Sequence, residues 1–184
     1  MQLTINIFTI IGSSLGVIAF IISIINPIQV YNTKQWTKLN SLLDLKDLEE
    51  LCNGVSYGVL YKEPSNRLKN LIYLIKNDFE EVNFKGFTGK RINNRLQKIR
   101  ETGDRFYGKV QVPNWDFVKN NPEHLDKQLN KDYIFKNCSS DAEAQERINK
   151  AMSTATSEIE EIIYLYRSIH QMATKLPIEY LYKK

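Results

Sequence analysis

Residues 3–25 read LTINIFTIIGSSLGVIAFIISII, and no charged side chain occurs anywhere in residues 1–33. A bilayer core about 30 Å thick is crossed by roughly 20 helical residues rising about 1.5 Å each. The run supplies that length before Pro27, which is expected to end it. It therefore reads as a single transmembrane helix. Residues 1–33 form an anchor and short connector, and residues 34–184 a soluble domain. A cleaved signal peptide fits less well, because such peptides carry a basic n-region, an apolar run of about 7–15 residues and a small-residue cleavage site. No Lys or Arg precedes this run, and Asn26-Pro27-Ile28-Gln29 follows it. A buried core helix would have to cover large apolar side chains around its whole circumference in a small domain.

Flanking charge gives the orientation. Lys34, Lys38 and Lys46 follow the run, and cytoplasmic flanks carry the Lys/Arg excess. The expectation is a single pass through the plasma (inner) membrane with residues 34–184 cytoplasmic. At about 100° per residue, Gln2, Asn6, Thr9, Ser13, Gly16, Phe20 and Ser23 share one sector of the helix. Gly12 lies beside it, and Gly12-x-x-x-Gly16 is a small-x-x-x-small pair that lets two backbones approach closely. Ser14, Thr4 and Asn26 fall off the stripe. Three readings stay open: ordinary membrane-helix composition, a packing face for a homo-oligomer, or a pore lining. In the last, Asn6, Thr9, Ser13 and Ser23 are wetted and a ring of Phe20 is a hydrophobic constriction.

The soluble domain reads as all-α. Trp36, Leu39, Leu42, Leu43, Leu48 and Leu51 predict a helix over residues 34–52 that stops at Asn53-Gly54. A loop or extended segment spans 55–64. A second helix follows Ser65-Asn66, with Leu68, Leu71, Ile72, Ile75, Phe79 and Val82 on one face. A third carries Ile92, Leu96 and Ile99 and ends at Thr102-Gly103. Residues 106–117 read as irregular or short strand. A fourth helix begins at Asn121-Pro122-Glu123 and includes Leu125, Leu129 and Tyr133. Ser140-Asp141-Ala142-Glu143 is a capping box. Beyond it Ile148, Met152, Ala155, Ile159, Ile162, Tyr166, Ile169, Ala173 and Leu176 alternate by four and three up to Pro177. Such a heptad is either the spine of a bundle or a coiled-coil seam between copies.

Composition leaves little room for catalysis. His124 and His170 have no Cys, Asp or His at ligand spacing, and Cys52 and Cys138 form no metal motif. In a cytoplasmic domain these cysteines are expected to be reduced. There is no nucleophile elbow and no Walker A loop, so no enzyme, metal or cofactor is expected.

One charge feature points to a ligand. Residues 85–109 hold eight basic side chains against Glu101 and Asp104, a local excess larger than the whole chain's +4. Arg91, Arg95 and Lys98 make a stripe, with Asn93 and Asn94 beside it and Gly86 and Gly89 before it, and amides at a helix start attract anions. Gly89, Lys90, Arg91, Arg95, Lys98 and Arg105 are therefore the candidate phosphate site. Its partner would be a nucleotide, a single-stranded oligonucleotide or an anionic lipid, with Phe87, Phe106 and Tyr107 near enough in sequence to stack on bases.

Two resemblances attach to these residues. Gly86-x-x-Gly89-x-x-Ile92 followed by Leu96 resembles the G-x-x-G loop and helix of KH domains, although no flanking KH strand pattern accompanies it. The anchor stripe from Asn6 to Ser23, joined to a helical domain carrying the basic segment, resembles the small single-pass membrane effectors of bacterial antiphage defence. That resemblance implies a homo-oligomeric, ion-conducting or membrane-disrupting pore controlled by a nucleotide-derived signal. The alternative is a membrane-tethered scaffold or adaptor that holds a partner protein at the cytoplasmic face.

Overall fold

The longest run of alternating four and three spacings becomes the spine of the molecule. The computed structural model describes residues 2–111, 113–118 and 124–174, and along the first helix it describes side chains from Gly16 onward, apart from Ile18 and Ile22. The helices are α1 (Gln2–Leu42), α2 (Leu45–Ser56), α3 (Lys62–Asn77), α4 (Gly86–Lys109), α5 (Lys131–Lys136) and α6 (Asp141–Thr174), with a 3-10 turn at Phe79–Val82. The strands are β1 (Val59–Tyr61), β2 (Trp115–Phe117) and β3 (Leu125–Leu129). The chain is mostly helical, as its periodicity predicts.

α6 starts at the expected serine: Glu143 N–H donates to Ser140 Oγ at 3.2 Å, while the Glu143 carboxylate accepts from the N–H of Ser139, one residue earlier than a capping box would have it, at 2.8 Å. Ile148, Ala155, Ile159, Ile162, Tyr166, Ile169 and Ala173 are buried, and Met152 is half-buried. They are covered by α4, α2, α5 and the second half of α1. The heptad seam is thus occupied by its own chain rather than left open for a second copy. Leu176 and Pro177 lie outside the described residues.

Several expected boundaries move. Residues 34–52 do not form one helix: α1 ends at Leu42 and α2 begins at Leu45, with Asp44 as its N-cap. Asp47 N–H donates to Asp44 Oδ1 at 2.8 Å, and Asp44 N–H donates to Asp47 Oδ2 at 3.0 Å. This capping box starts a new helix in the middle of an apolar pattern that runs straight through it. Asn53-Gly54 lies inside α2. A Cβ on Gly54 would come within 2.8 Å of the Tyr61 ring, so this glycine serves packing rather than a stop. Thr102-Gly103 likewise lies within α4, where a Cβ on Gly103 would sit 2.3 Å from Ile72 Cδ1.

The expected fourth helix is the largest correction. Residues 125–129 form the central strand of a three-stranded antiparallel sheet ordered β1-β3-β2, in which Val59 faces Gln128 and Trp115 faces Leu129. Leu125 and Leu129 are four apart, a spacing that returns to one face both in a helix and in a strand of period two. The proposed helix start at Asn121-Pro122-Glu123 lies outside the described residues. Helix resumes only at α5, where Asn130 Oδ1 accepts from Tyr133 N–H at 3.0 Å.

Pro27 does not end the first helix either; α1 passes through it. Among the described residues no helix is long and apolar enough to cross a membrane. The transmembrane reading of residues 3–25 rests chiefly on side chains 3–15, 18 and 22, which lie outside the described set.

Candidate functional site

The basic segment folds into the outer face of α4, and the structure divides its six candidate residues. Gly89 is buried: its N–H donates to Lys85 O at 3.1 Å, and a Cβ there would lie 2.5 Å from the Phe84 carbonyl carbon. Its amide is therefore occupied. Arg105 reaches α6, where its guanidinium lies 2.8 Å from Glu161 and 3.1 Å from Glu158, and Lys109 adds a contact of 3.3 Å to Glu158. Both cations are neutralised within the chain.

Lys90, Arg91, Arg95 and Lys98 remain on the outward side of α4's first half. None of them forms an ion pair among the described residues; Arg95 donates to Arg91 O at 3.3 Å. Four cations spaced within two to three turns repel one another unless an anion lies between them. Asn93 is withdrawn from this face. Its amide accepts from Phe84 N–H and donates to Phe84 O, both at 3.0 Å, and so pins the entry to the helix. The Gly86-x-x-Gly89 pair is the first turn of α4 rather than a loop, which removes the KH likeness.

Sequence reading missed what this basic helix is fastened to. Asn32 of α1 is fully buried and pairs twice with Lys85, donating to its carbonyl at 3.1 Å and accepting from its N–H at 2.9 Å. Gly86, whose φ of +74° favours glycine, has its α-carbon against α1: a Cβ would sit 3.1 Å from Ile28 Cγ2. Tyr31 donates to Asn83 O at 3.2 Å, and Lys85 Nζ lies 4.4 Å above the Tyr31 ring. On the other side Gln29 Nε2 donates to Ala173 O at 2.8 Å, and Thr33 Oγ1 reaches the same carbonyl at 3.3 Å. Residues 28–33, expected to be a connector, are a helical clamp holding the start of α4 and the end of α6 together.

Beyond this clamp the described side chains of α1 from Gly16 to Ile24 are exposed. Val17, Phe20, Ile21 and Ile24 are exposed, Phe20 at 65%, and nothing lies within 4 Å of the position a Gly16 Cβ would take. Of the candidate pore or packing face, Gly16, Phe20 and Ser23 share this exposed stretch. Ser23 Oγ donates back to Phe20 O at 2.7 Å. Asn6, Thr9, Gly12 and Ser13 lie outside the described side chains.

The two histidines sit in separate settings. The His170 ring packs on Trp36 with centroids 5.0 Å apart. His124 borders a groove with Asp47, Glu63 and Arg67, whose charges pair with one another at 2.6–3.2 Å. Among the described residues no group of three His, Cys, Asp or Glu side chains is placed to hold a metal ion. Cys52 lines a groove of about 530 Å³ between α2 and α6, with Thr156, Glu160, Tyr164 and Arg167. Burial, and then the nearby Glu160 carboxylate, push its thiol above the ordinary value. No protein family, curated protein or solved structure matches this chain.

Proposed function

We propose that this chain is a membrane-anchored effector that assembles through α1 as an ion-conducting or membrane-disrupting pore, controlled by a phosphate-bearing nucleotide or oligonucleotide on the cytoplasmic face of α4. The observation that carries this reading is the Asn32–Lys85 clamp. It joins the cationic helix to the uncovered apolar helix with no flexible linker between them. Residues 3–25 supply the hydrophobic length of a membrane span, and the exposed Val17, Phe20, Ile21 and Ile24 need lipid or a second copy to cover them. Lys34, Lys38 and Lys46 favour a cytoplasmic domain.

In this mechanism an anion bound by Arg91, Arg95 and Lys98 relieves their mutual repulsion and shifts the start of α4. Asn32 passes that shift to α1, and the packing of the α1 helices around Phe20 changes. The ligand acts as a switch only if it binds one assembly state more tightly than the other. Phe20→Ala is expected to make cells leak ions. Arg91→Ala with Arg95→Ala is expected to abolish the ligand response while leaving the oligomer intact. Wild-type membrane potential in both variants would remove the pore.

The adaptor alternative draws on a different feature, the groove between α2 and α6, beside which Tyr164 is 70% exposed. A scaffold retains function when its anchor is exchanged for an unrelated transmembrane helix. A pore loses it.

A further inference from the structure

We infer that the start of α4 is a second membrane contact, in which Phe87 enters the headgroup layer of an anionic leaflet and Lys85 and Lys90 engage lipid phosphates. The inference rests on the reading of α1 as a membrane span and extends it from the anchor to the domain. Its starting point is a distance along a helix. Ile28 lies three residues beyond Ile25, about 4.5 Å at the helical rise. The interfacial layer on each side of a bilayer is about 5–7 Å deep, so Ile28 falls within it. Gly86 packs directly on Ile28, and the next residue, Phe87, is 81% exposed.

A large aromatic ring so exposed in water is unfavourable, and none of the described residues covers it. At headgroup depth the same ring is favourable, as in interfacial amphipathic helices with Phe on one side and Lys on the other. The charges agree with that placement. Lys85 and Lys90 flank Phe87 in the chain and are exposed, Lys85 Nζ lies 4.4 Å from the Tyr31 ring of α1, and Val30 is exposed one turn before Lys34. Juxtamembrane lysines and arginines are attracted to anionic headgroups. Gly86, at positive φ, starts α4 against Ile28 of α1, and Phe87 is the residue that follows. Two attachments, α1 and Phe87, would fix the tilt of the domain on the bilayer. Arg91, Arg95 and Lys98, further along α4, would remain free for a soluble ligand.

The test uses the full chain in vesicles of zwitterionic lipid, with or without anionic lipid whose acyl chains are brominated. Phe87→Trp places a contact-quenched reporter at the site. Trp36 and Trp115 are buried and set the background measured in the unsubstituted chain. Val17→Trp reports the anchor in parallel. The expected result is added quenching at position 87 by brominated anionic lipid, lost when Lys85→Glu and Lys90→Glu are introduced, with position 17 quenched by that lipid with or without those two substitutions. Quenching at 17 but none at 87, with iodide reaching 87 instead, would overturn the contact while leaving the anchor standing. Absence of quenching at 17 would overturn both. A change at 87 reproduced by inorganic phosphate in purely zwitterionic vesicles would transfer the site to a soluble anion and overturn the lipid assignment.

Discussion

Tyr166 shows how much of this fold depends on single polar atoms. Its hydroxyl is buried and donates to Leu43 O, at the break between α1 and α2, and its ring packs on Trp36 with centroids 4.9 Å apart. Burial, followed by the Asp44 and Asp47 carboxylates, pushes its ionisation well above the ordinary value of 10. Tyr107, whose hydroxyl donates to Ser65 O at 2.7 Å, is raised in the same direction, mainly by burial. The folded chain therefore keeps two phenol protons that the unfolded chain releases. Their stabilisation is complete below pH 10 and declines as pH rises above it, by about 1.4 kcal/mol per pH unit for each group. Tyr166→Phe removes one such group and leaves the Leu43 carbonyl unpaired. Urea denaturation should show a loss of about 1–3 kcal/mol at neutral pH and a shallower decline above pH 10. None of this was legible in the sequence, where Tyr166 is one member of an apolar heptad. Asn32 was equally hidden, because its two bonds to Lys85 depend on a partner 53 residues away.

At the scale of elements, legibility depended on whether a pattern had one period or two. The α6 spacing was read correctly because many consecutive matches to four and three leave no strand alternative. Residues 125–129 offered two leucines four apart, and a strand bears that spacing as well as a helix. The division of α1 from α2 failed for another reason. The apolar pattern from Trp36 to Leu51 continues across the break, and only the polar signal Asp44-x-x-Asp47 marks it. That signal has Asp where the usual capping box has Glu or Gln. Asp44→Ala should cost about 1 kcal/mol in a urea titration, because Asp47 N–H loses its acceptor, whereas Asp44→Asn should cost a few tenths. Equal losses from both substitutions would show that the charge of Asp44 matters more than its cap. The Arg105 network with Glu158 and Glu161 was invisible for a simpler reason: charge counting in sequence cannot say which cations are already paired.

For the whole molecule, the structure narrows where copies can meet. The sequence suggested two association faces, the small and polar stripe of α1 and the heptad of α6. The second is filled by α4, α2, α5 and α1 of the same chain. In the proposed assembly, association then falls to the exposed stretch of α1, and this has a direct consequence. A chain beginning at Ile28 retains Gln29, Asn32, Thr33 and Trp36, and with them the clamp and the core. It should be monomeric by light scattering, with a melting temperature within a few degrees of the full chain in detergent, since the lost residues make no described contact with the domain. The full chain in the same detergent should be larger than a dimer by native mass spectrometry. An oligomeric truncated chain would place the interface on the domain surface, with the exposed Tyr57, Tyr73 and Tyr164 the first side chains to test. A monomeric full chain would leave the Gly12–Gly16 face without a partner, and with it the pore.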